Sequence, residues 1–228
     1  QLYRALVRLF GMDYVGARDL CESVLPVLGE PARTPWRRWA LAIAGSAEVG
    51  LGEHERALGH LMAAKQEMDD HTVINDWYCR MMVQSALTDL WLARGDLSRA
   101  RQEAEVFLAV TSATAERTWQ AWAWEANARL ALRSSDLERA QDCITKALSV
   151  MEGYETPLAE WRVHATATEL SELRGDRVAA KHHREQSRGT VLRLANSLPE
   201  DDPLRKIFLS APRISTIVAG TELSGELS

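Results

Sequence analysis

Residues 95–100 read Gly-Asp-Leu-Ser-Arg-Ala, and four further stretches share this plan of a turn residue, an acid, three residues and an alanine. Those stretches begin at Met12-Asp13, Gly52-Glu53, Ser135-Asp136 and Gly175-Asp176. Their alanines are spaced 40, 43, 40 and 40 residues apart, at Ala17, Ala57, Ala100, Ala140 and Ala180. Glycine closes one helix in the left-handed conformation, the acid caps the next, and alanine allows close helix packing. The register therefore predicts about five antiparallel helix pairs.

Apolar spacing around these stretches also predicts helices. After Asp136 the apolar residues follow the three-and-four rhythm of a half-buried helix, at Leu137, Ala140, Ile144, Ala147, Leu148 and Met151. No stretch alternates with a period of two, so we expect an all-α protein without a sheet. The predicted pairs cover about 1–28, 34–69, 71–110, 116–151 and 156–195. A capping segment at 196–219 and a flexible tail at 220–228 complete the predicted domain plan.

The hairpin pattern resembles the tetratricopeptide repeat, whose second helix carries a signature alanine. Spacings of 40 to 43 residues exceed the usual period of about 34. Such long repeats look like the C-terminal regions of bacterial multidomain regulators, such as LuxR-type ATPase regulators and kinases or cyclases with an ATPase and a repeat tail. The resemblance implies a right-handed α-solenoid that binds a protein or peptide and performs no catalysis. Because the chain opens at Gln1 with a short helical run, we expect the natural protein to continue upstream.

Composition narrows the classes of partner. The formal net charge is −5 with both signs interspersed, which argues against binding to nucleic acid or to an anionic membrane. Cys21, Cys79 and Cys143 are far apart and odd in number, so we expect buried thiols in a reducing compartment. The longest apolar stretch, 39–47, is too short to span a bilayer. These features predict a cytoplasmic protein.

Tryptophan follows the repeat. All eight tryptophans fall on the predicted first helix of a pair, and four of them recur every 41 or 42 residues: Trp36, Trp77, Trp119 and Trp161. Large aromatic side chains stabilise cores through their buried area. We therefore expect the four recurring tryptophans to lie between neighbouring repeats.

The resemblance also implies which residues would contact a partner. In the family, one face of each first helix lines a concave groove. Carried over to this chain, that face comprises Trp39, Met82, Ser85, Asp89, Trp122, Glu125, Arg129, Arg162, Glu169 and Glu172. Aromatic, methionine and mixed charged side chains suit a protein or peptide segment. Upstream domains of the same chain are further expected partners.

The residues predict no catalytic, cofactor or metal site. His54 and His60 do not form a helical metal pair, because they are six residues apart. Adjacent His182 and His183 point to different sides of a helix, so we expect all four of these histidines to lie on the solvated surface. Gly50 and Gly52 form the only close glycine pair, and a turn explains them, so no phosphate loop is expected.

The predicted groove has two alternative functions, a chaperone-type clamp and a peptide-pheromone receptor. A chaperone-type clamp for a C-terminal carboxylate needs Lys and Asn in the groove, but Ser85, Asp89 and Glu125 stand at the paired sites. A peptide-pheromone receptor would hold peptide backbones with groove asparagines, for which only Asn127 is near. The first alternative is rejected and the second stays open.

The first helix has an apolar side without a preceding repeat, which predicts self-association through the N-terminal edge.

Overall fold

The computed structural model describes residues 1–29 and 35–220 and confirms an all-α protein. Within those ranges it contains no strand, one 3-10 turn at Leu25–Val27, and twelve α-helices. The helices are α1 Leu2–Phe10, α2 Tyr14–Val24, α3 Trp36–Leu51, α4 His54–Asp70, α5 Asp76–Ala93, α6 Leu97–Ser112, α7 Arg117–Arg133, α8 Leu137–Met151, α9 Pro157–Leu173, α10 Arg177–Asn196, α11 Pro203–Ser210 and α12 Pro212–Ala219. Residue 34, where the second predicted helix pair begins, and residues 221–228 of the predicted tail lie outside the described residues.

The chain divides into two compact units, residues 1–110 and 111–228. In the first unit each helix packs on its sequence neighbour from α1 to α5, and α3 also packs on α5. In the second unit α7 packs on α8 and α9 packs on α10, while α7 also packs on α9. The short helices α11 and α12 pack on α10. Within each unit, first helices of successive pairs are therefore neighbours.

The five turn stretches share one backbone geometry. The turn residue has a positive φ in every copy: Met12 at 59°, Gly52 at 75°, Gly95 at 73°, Ser135 at 58° and Gly175 at 73°. The following acid donates its backbone N–H to the carbonyl five residues earlier, as Asp96 does to Trp91 at 3.0 Å. This bond satisfies a carbonyl that the helix end would leave unpaired. The sequence pattern therefore encodes the same helix-to-helix turn five times.

Four of the five acids also cap the second helix with their side chains. Asp13, Asp96, Asp136 and Asp176 each accept a hydrogen bond from the backbone N–H three residues on, at 2.9 to 3.0 Å. Glu53 does not cap its helix and instead contacts Arg18 at 2.8 Å. Glutamate is one methylene longer than aspartate and is not a preferred N-cap residue. The predicted cap is thus wrong at this one position.

The signature alanines are buried where paired helices approach most closely. Ala17, Ala57, Ala100 and Ala140 are fully buried, and Ala180 is 3% exposed. At the α3–α4 crossing, a Cβ built on Gly45 would lie 2.7 Å from Cγ of Leu61 and 3.2 Å from the Ala57 carbonyl oxygen. Even a methyl group at Gly45 would require the Leu61 side chain or the α4 backbone to shift. Small side chains therefore set the distance between the helices of a pair.

Candidate partner-binding site

A cluster of charged and aromatic side chains lies where α7 packs on α9, and we call it the α7–α9 face. It comprises Trp122, Glu125, Arg129, Arg162, Thr166 and Glu169. Five of these six residues belong to the predicted groove set, and Thr166 is an addition from the structure. Glu125 and Thr166 contact each other, which establishes that the two helices share this face.

Glu125 is the buried charge at the centre of the face. It is 1% exposed, and its Oε1 accepts a hydrogen bond from the Thr166 hydroxyl at 2.7 Å and one from Nε of Arg129 at 2.8 Å. An isolated buried carboxylate is strongly destabilising, whereas a paired and hydrogen-bonded one is tolerated. Arg129 itself retains 21% side-chain exposure. The carboxylate is therefore fixed in place while one of its cationic partners remains accessible.

Arg162 lies between two indole rings. Its guanidinium carbon is 4.5 Å from the Trp122 ring centroid and 5.0 Å from that of Trp161. A cation over the face of an indole is attracted by the negative charge of the π system. The two rings hold the guanidinium plane, so this arginine has a defined position without a carboxylate partner at salt-bridge distance among the described residues.

A third arginine reaches the face from the C-terminal helix. Nη2 of Arg213, at the start of α12, is 3.6 Å from Oε1 of Glu125, and its guanidinium carbon is 5.4 Å from the Trp161 ring centroid. The Arg213 side chain is 37% exposed. Sequence reasoning missed this contact, because α12 is short and lies outside the repeat register. This contact shows that the α7–α9 face accommodates the guanidinium group of an arginine.

Glu169 supplies a second carboxylate. Desolvation raises its pKa above the ordinary value, and this effect outweighs the nearby Arg213 guanidinium, which lowers the pKa. The Glu125 carboxylate raises the Glu169 pKa further. Arg129 and Arg133 act with Arg213 in the opposite direction and lower it. By contrast, the predicted groove residue Glu172 ion-pairs with Arg184 of α10 and is held within its own helix pair.

The predicted groove residues of the first unit are partly buried, like those of the α7–α9 face. Met82 is 2% exposed and belongs to the core around α5, so it offers no contact surface to a partner. Trp39 is half-buried and stacks on Tyr78, with ring centroids 5.1 Å apart and an interplanar angle of 14°. Ser85 and Asp89 are also half-buried. In the second unit Trp122, at 6% exposure, likewise contributes mainly to packing.

The recurring tryptophans separate into two classes. Trp119 and Trp161 are 4% and 2% exposed and lie in the core as predicted. Trp36 and Trp77 are 41% and 42% exposed, so the expectation that they too lie buried between repeats is wrong. Both occupy the first turn of a helix, at or near its N-terminal end, where less of the neighbouring helix is available to cover them.

Two of the four histidines that we expected on the solvated surface have specific partners. His60 Nδ1 lies 2.8 Å from Oε2 of the fully buried Glu48. His183 is half-buried, and its Nδ1 lies 3.0 Å from Nδ1 of His164 on α9. One ring must donate and the other accept, so at least one imidazole is neutral. Burial, followed by the neighbouring His183, lowers the pKa of His164 to about 4.

The three thiols lie on helices and are buried, as predicted. Burial raises the pKa of Cys21 and of Cys79 to about 12, which keeps both protonated and weakly nucleophilic. In the described ranges no group of three or more His, Cys, Asp or Glu side chains is placed to hold a metal ion.

Neither the scan against protein-family models nor the search of curated proteins finds a match for this chain. The structure itself defines the class of the protein, which is an all-α protein built from repeated helix pairs. A search of the described helices finds none with the length and apolar character needed to cross a bilayer.

Proposed function

We propose that this chain is a non-catalytic module that binds a protein or peptide segment, with the α7–α9 face as its contact surface. The observation that carries the proposal is the buried Glu125 carboxylate, whose cationic partners Arg129 and Arg213 remain 21% and 37% exposed. Tryptophan and arginine, the residue types beside this carboxylate, are enriched among the residues that contribute most to the free energy of binding at interfaces. Because Glu125, Arg129 and Arg213 are paired with one another, they favour recognition of a partner over proton transfer.

The C-terminal helix supports a peptide as the occupant. Arg213 lies at the start of an eight-residue helix and places its guanidinium near a carboxylate and an indole ring. A partner segment carrying arginine would find the same combination of an opposite charge and an aromatic face. The resemblance to long tetratricopeptide repeats further favours a scaffold or sensor role in a cytoplasmic bacterial signalling or transcription regulator.

The peptide-pheromone receptor is the weaker alternative. It requires an asparagine amide directed at a peptide backbone, whereas Asn127 is 4% exposed and donates its Nδ2 to the Ala123 carbonyl of its own helix. No observation on the described residues favours this alternative over the α7–α9 face.

The substitution that tests the proposal must leave the buried Glu125 carboxylate paired. Arg129→Glu would place a second carboxylate against buried Glu125, and the resulting destabilisation would confuse binding with folding. Glu169→Lys is better, because Glu169 is half-buried and the new ammonium would lie near Glu125 while repelling a partner's cation. Glu138→Lys, on a side chain that is 90% exposed, is the matched control.

The experiment selects peptides from a random displayed library on the full chain and then measures their affinity for the variants. We expect the selected peptides to be rich in arginine beside apolar residues, and to lose at least about tenfold in affinity for Glu169→Lys. Affinity for Glu138→Lys should match the parent. Selected peptides that bind all three proteins equally would show that the α7–α9 face is not the contact surface.

A further inference from the structure

A cleft lies away from the α7–α9 face in the unit of residues 111–228. It is a cleft of about 940 Å³ between the end of α8, the following loop 152–156, the start of α9 and the end of α10. A volume of this size is at the upper end of the range for small-molecule pockets. None of the residues of the α7–α9 face lines it. Its chemistry is therefore independent of the proposed function.

The cleft combines an apolar surface with a buried hydroxyl. Leu148, Met151, Pro157 and Leu194 supply the apolar part of the lining. Thr156, which is 5% exposed, lines the cleft and forms no side-chain hydrogen bond to cap α9. Aliphatic side chains favour an aliphatic ligand surface by the burial of apolar area. The threonine oxygen provides an acceptor for a donor group on the ligand.

The charge around the cleft is negative. Glu152, Glu155 and Glu160 line it together with one cation, Arg193. Arg193 is bound to Glu160, with Nη2 at 2.9 and 3.1 Å from the two carboxylate oxygens. Three carboxylates and one guanidinium leave a net charge of −2, and the exposed Glu152 and Glu155 lack a salt bridge among the described residues. These two carboxylates favour a cationic ligand.

The helix ends and one aromatic ring also favour a cationic ligand in the cleft. Helices α8 and α10 both end beside the cleft, and the C-terminal end of a helix carries partial negative charge. The N-terminal end of α9 offsets one of them. Tyr154 also lines the cleft, and the Arg117 guanidinium carbon lies 5.0 Å from its ring centroid. Tyr154 nevertheless remains 57% exposed, so its ring can attract a further cation.

We propose that this cleft binds an organic cation, an amine or guanidinium carried on an aliphatic stem. Glu152 and Glu155 attract the charge, the Tyr154 ring lies beside it, and the stem packs on Leu148 and Met151. Two sources supply this chemistry: a free polyamine, or a lysine or arginine side chain of a peptide. The neutral side chain of His164 at the cleft adds no repulsion, because its lowered pKa keeps it uncharged above about pH 5.

The test titrates the full chain with two probes, spermidine and acetyl-Leu-Arg-Leu-amide, and follows backbone amide shifts by NMR. We expect shifts at residues 148–157 and 193–197 for at least one probe. Spermidine alone would assign a free polyamine, and the tripeptide alone would assign a peptide side chain. Binding of both would show that the site recognises the cation and its stem. Acetyl-Leu-Gln-Leu-amide, which lacks the charge, should bind at least about tenfold more weakly than its arginine counterpart.

The variant that tests the carboxylates is the double substitution Glu152→Gln and Glu155→Gln, at two exposed side chains. It should weaken the binding probe by at least about tenfold, while Glu138→Gln on α8 leaves the affinity unchanged. The proposal is overturned if neither probe shifts these residues at millimolar concentration. It is equally overturned if the double variant binds as tightly as the parent, or if the uncharged tripeptide matches the charged one.

Discussion

Asp76 of the first unit and Glu125 of the second unit are both buried carboxylates, but their cationic partners differ in exposure. In the first unit Asp76 accepts two 2.8 Å contacts from Nη1 of Arg38, and the two side chains are only 3% and 1% exposed. In the second unit Glu125 is just as deeply buried, but Arg129 and Arg213 keep 21% and 37% of their side chains exposed. A sealed ion pair, in which both side chains are buried, stabilises one conformation. In an open ion pair the cations are exposed, so a cationic group of a partner can replace an arginine at the carboxylate. The difference separates a sealed ion pair from an open one, and in the first unit buried Glu48, paired with the 51% exposed Arg56, is also open.

Removing the acid should therefore have unequal consequences in the two units. Asp76→Ala leaves Arg38 buried with one remaining described acceptor, the His71 carbonyl, and should lower the free energy of unfolding by about 3–5 kcal/mol. Glu125→Gln keeps the shape of the side chain, and its arginine partners can turn toward water, so its loss should be less than half as large. Urea denaturation followed by circular dichroism measures both. Equal losses would remove the distinction between sealed and open pairs.

The small residue of the helix pair should matter equally in both units. Ala100 and Ala140 are fully buried at equivalent turns, so Ala100→Leu and Ala140→Leu should each lower the free energy of unfolding by about 1–3 kcal/mol through overpacking. The same urea measurement applies, with Ala109→Leu on the exposed side of α6 as the control. Parental stability in both core variants would mean that these crossings are looser than the structure shows.

Acidification should affect the second unit through its histidine pair. The pKa of His164 is about 4 in the fold, against about 6.5 in the unfolded chain, so only the unfolded chain gains this proton between those values. The stabilisation is present above pH 6.5 and is lost as the pH falls toward 4. We expect a loss of about 1–2 kcal/mol, allowing for the partial exposure of the ring.

The pH dependence needs a variant to isolate it, because carboxylates titrate in the same range. His164→Gln should remove the His164 contribution from a series of melts between pH 7 and 4.5, whereas the exposed His182→Gln should largely retain it. His182, His183 and Glu160 are the titratable groups that act on His164. If His164→Gln follows the parental curve at every pH, the histidine pair has no such effect.

The smallest expected effect distinguishes the turn residues of the two units. Gly95 and Ser135 occupy equivalent positions with φ of 73° and 58°, a region that favours glycine. Ser135→Gly should therefore raise the free energy of unfolding by about 1 kcal/mol, and Gly95→Ser should lower it by a similar amount. Thermal melts of the two single variants and of the double exchange measure this difference. Changes of the same sign in both single variants would contradict it.

Local features of the fold were predictable from the sequence. The alanine register located all five turns, because a positive φ, a helix cap and a close crossing each restrict the residue type at one position. Met12 and Ser135 have the left-handed conformation without being glycine, and their place in the register was the only signal for it. Glu53 broke the cap rule for an equally local reason, the length of its side chain.

Pairings between elements were not predictable, because they depend on two distant residues whose patterns carry no shared signal. Arg38 and Asp76 are 38 residues apart, and each alone is typical of a solvated charge. His164 and His183 combine similarly across the α9–α10 pair. For the candidate site, the family geometry located five of the six residues of the α7–α9 face but gave no indication of their burial. Arg213 reaches that face from a segment outside the repeat.

The sealed pair also has a kinetic consequence. The turns between paired helices close over a few residues, so each helix pair can form early from local contacts. The Arg38–Asp76 contact instead joins α3 to α5 across 38 residues, so we expect it to form late in folding. A contact made after the transition state slows unfolding without accelerating folding. We therefore expect this one ion pair to determine how long the first unit stays folded once formed, rather than how quickly it folds.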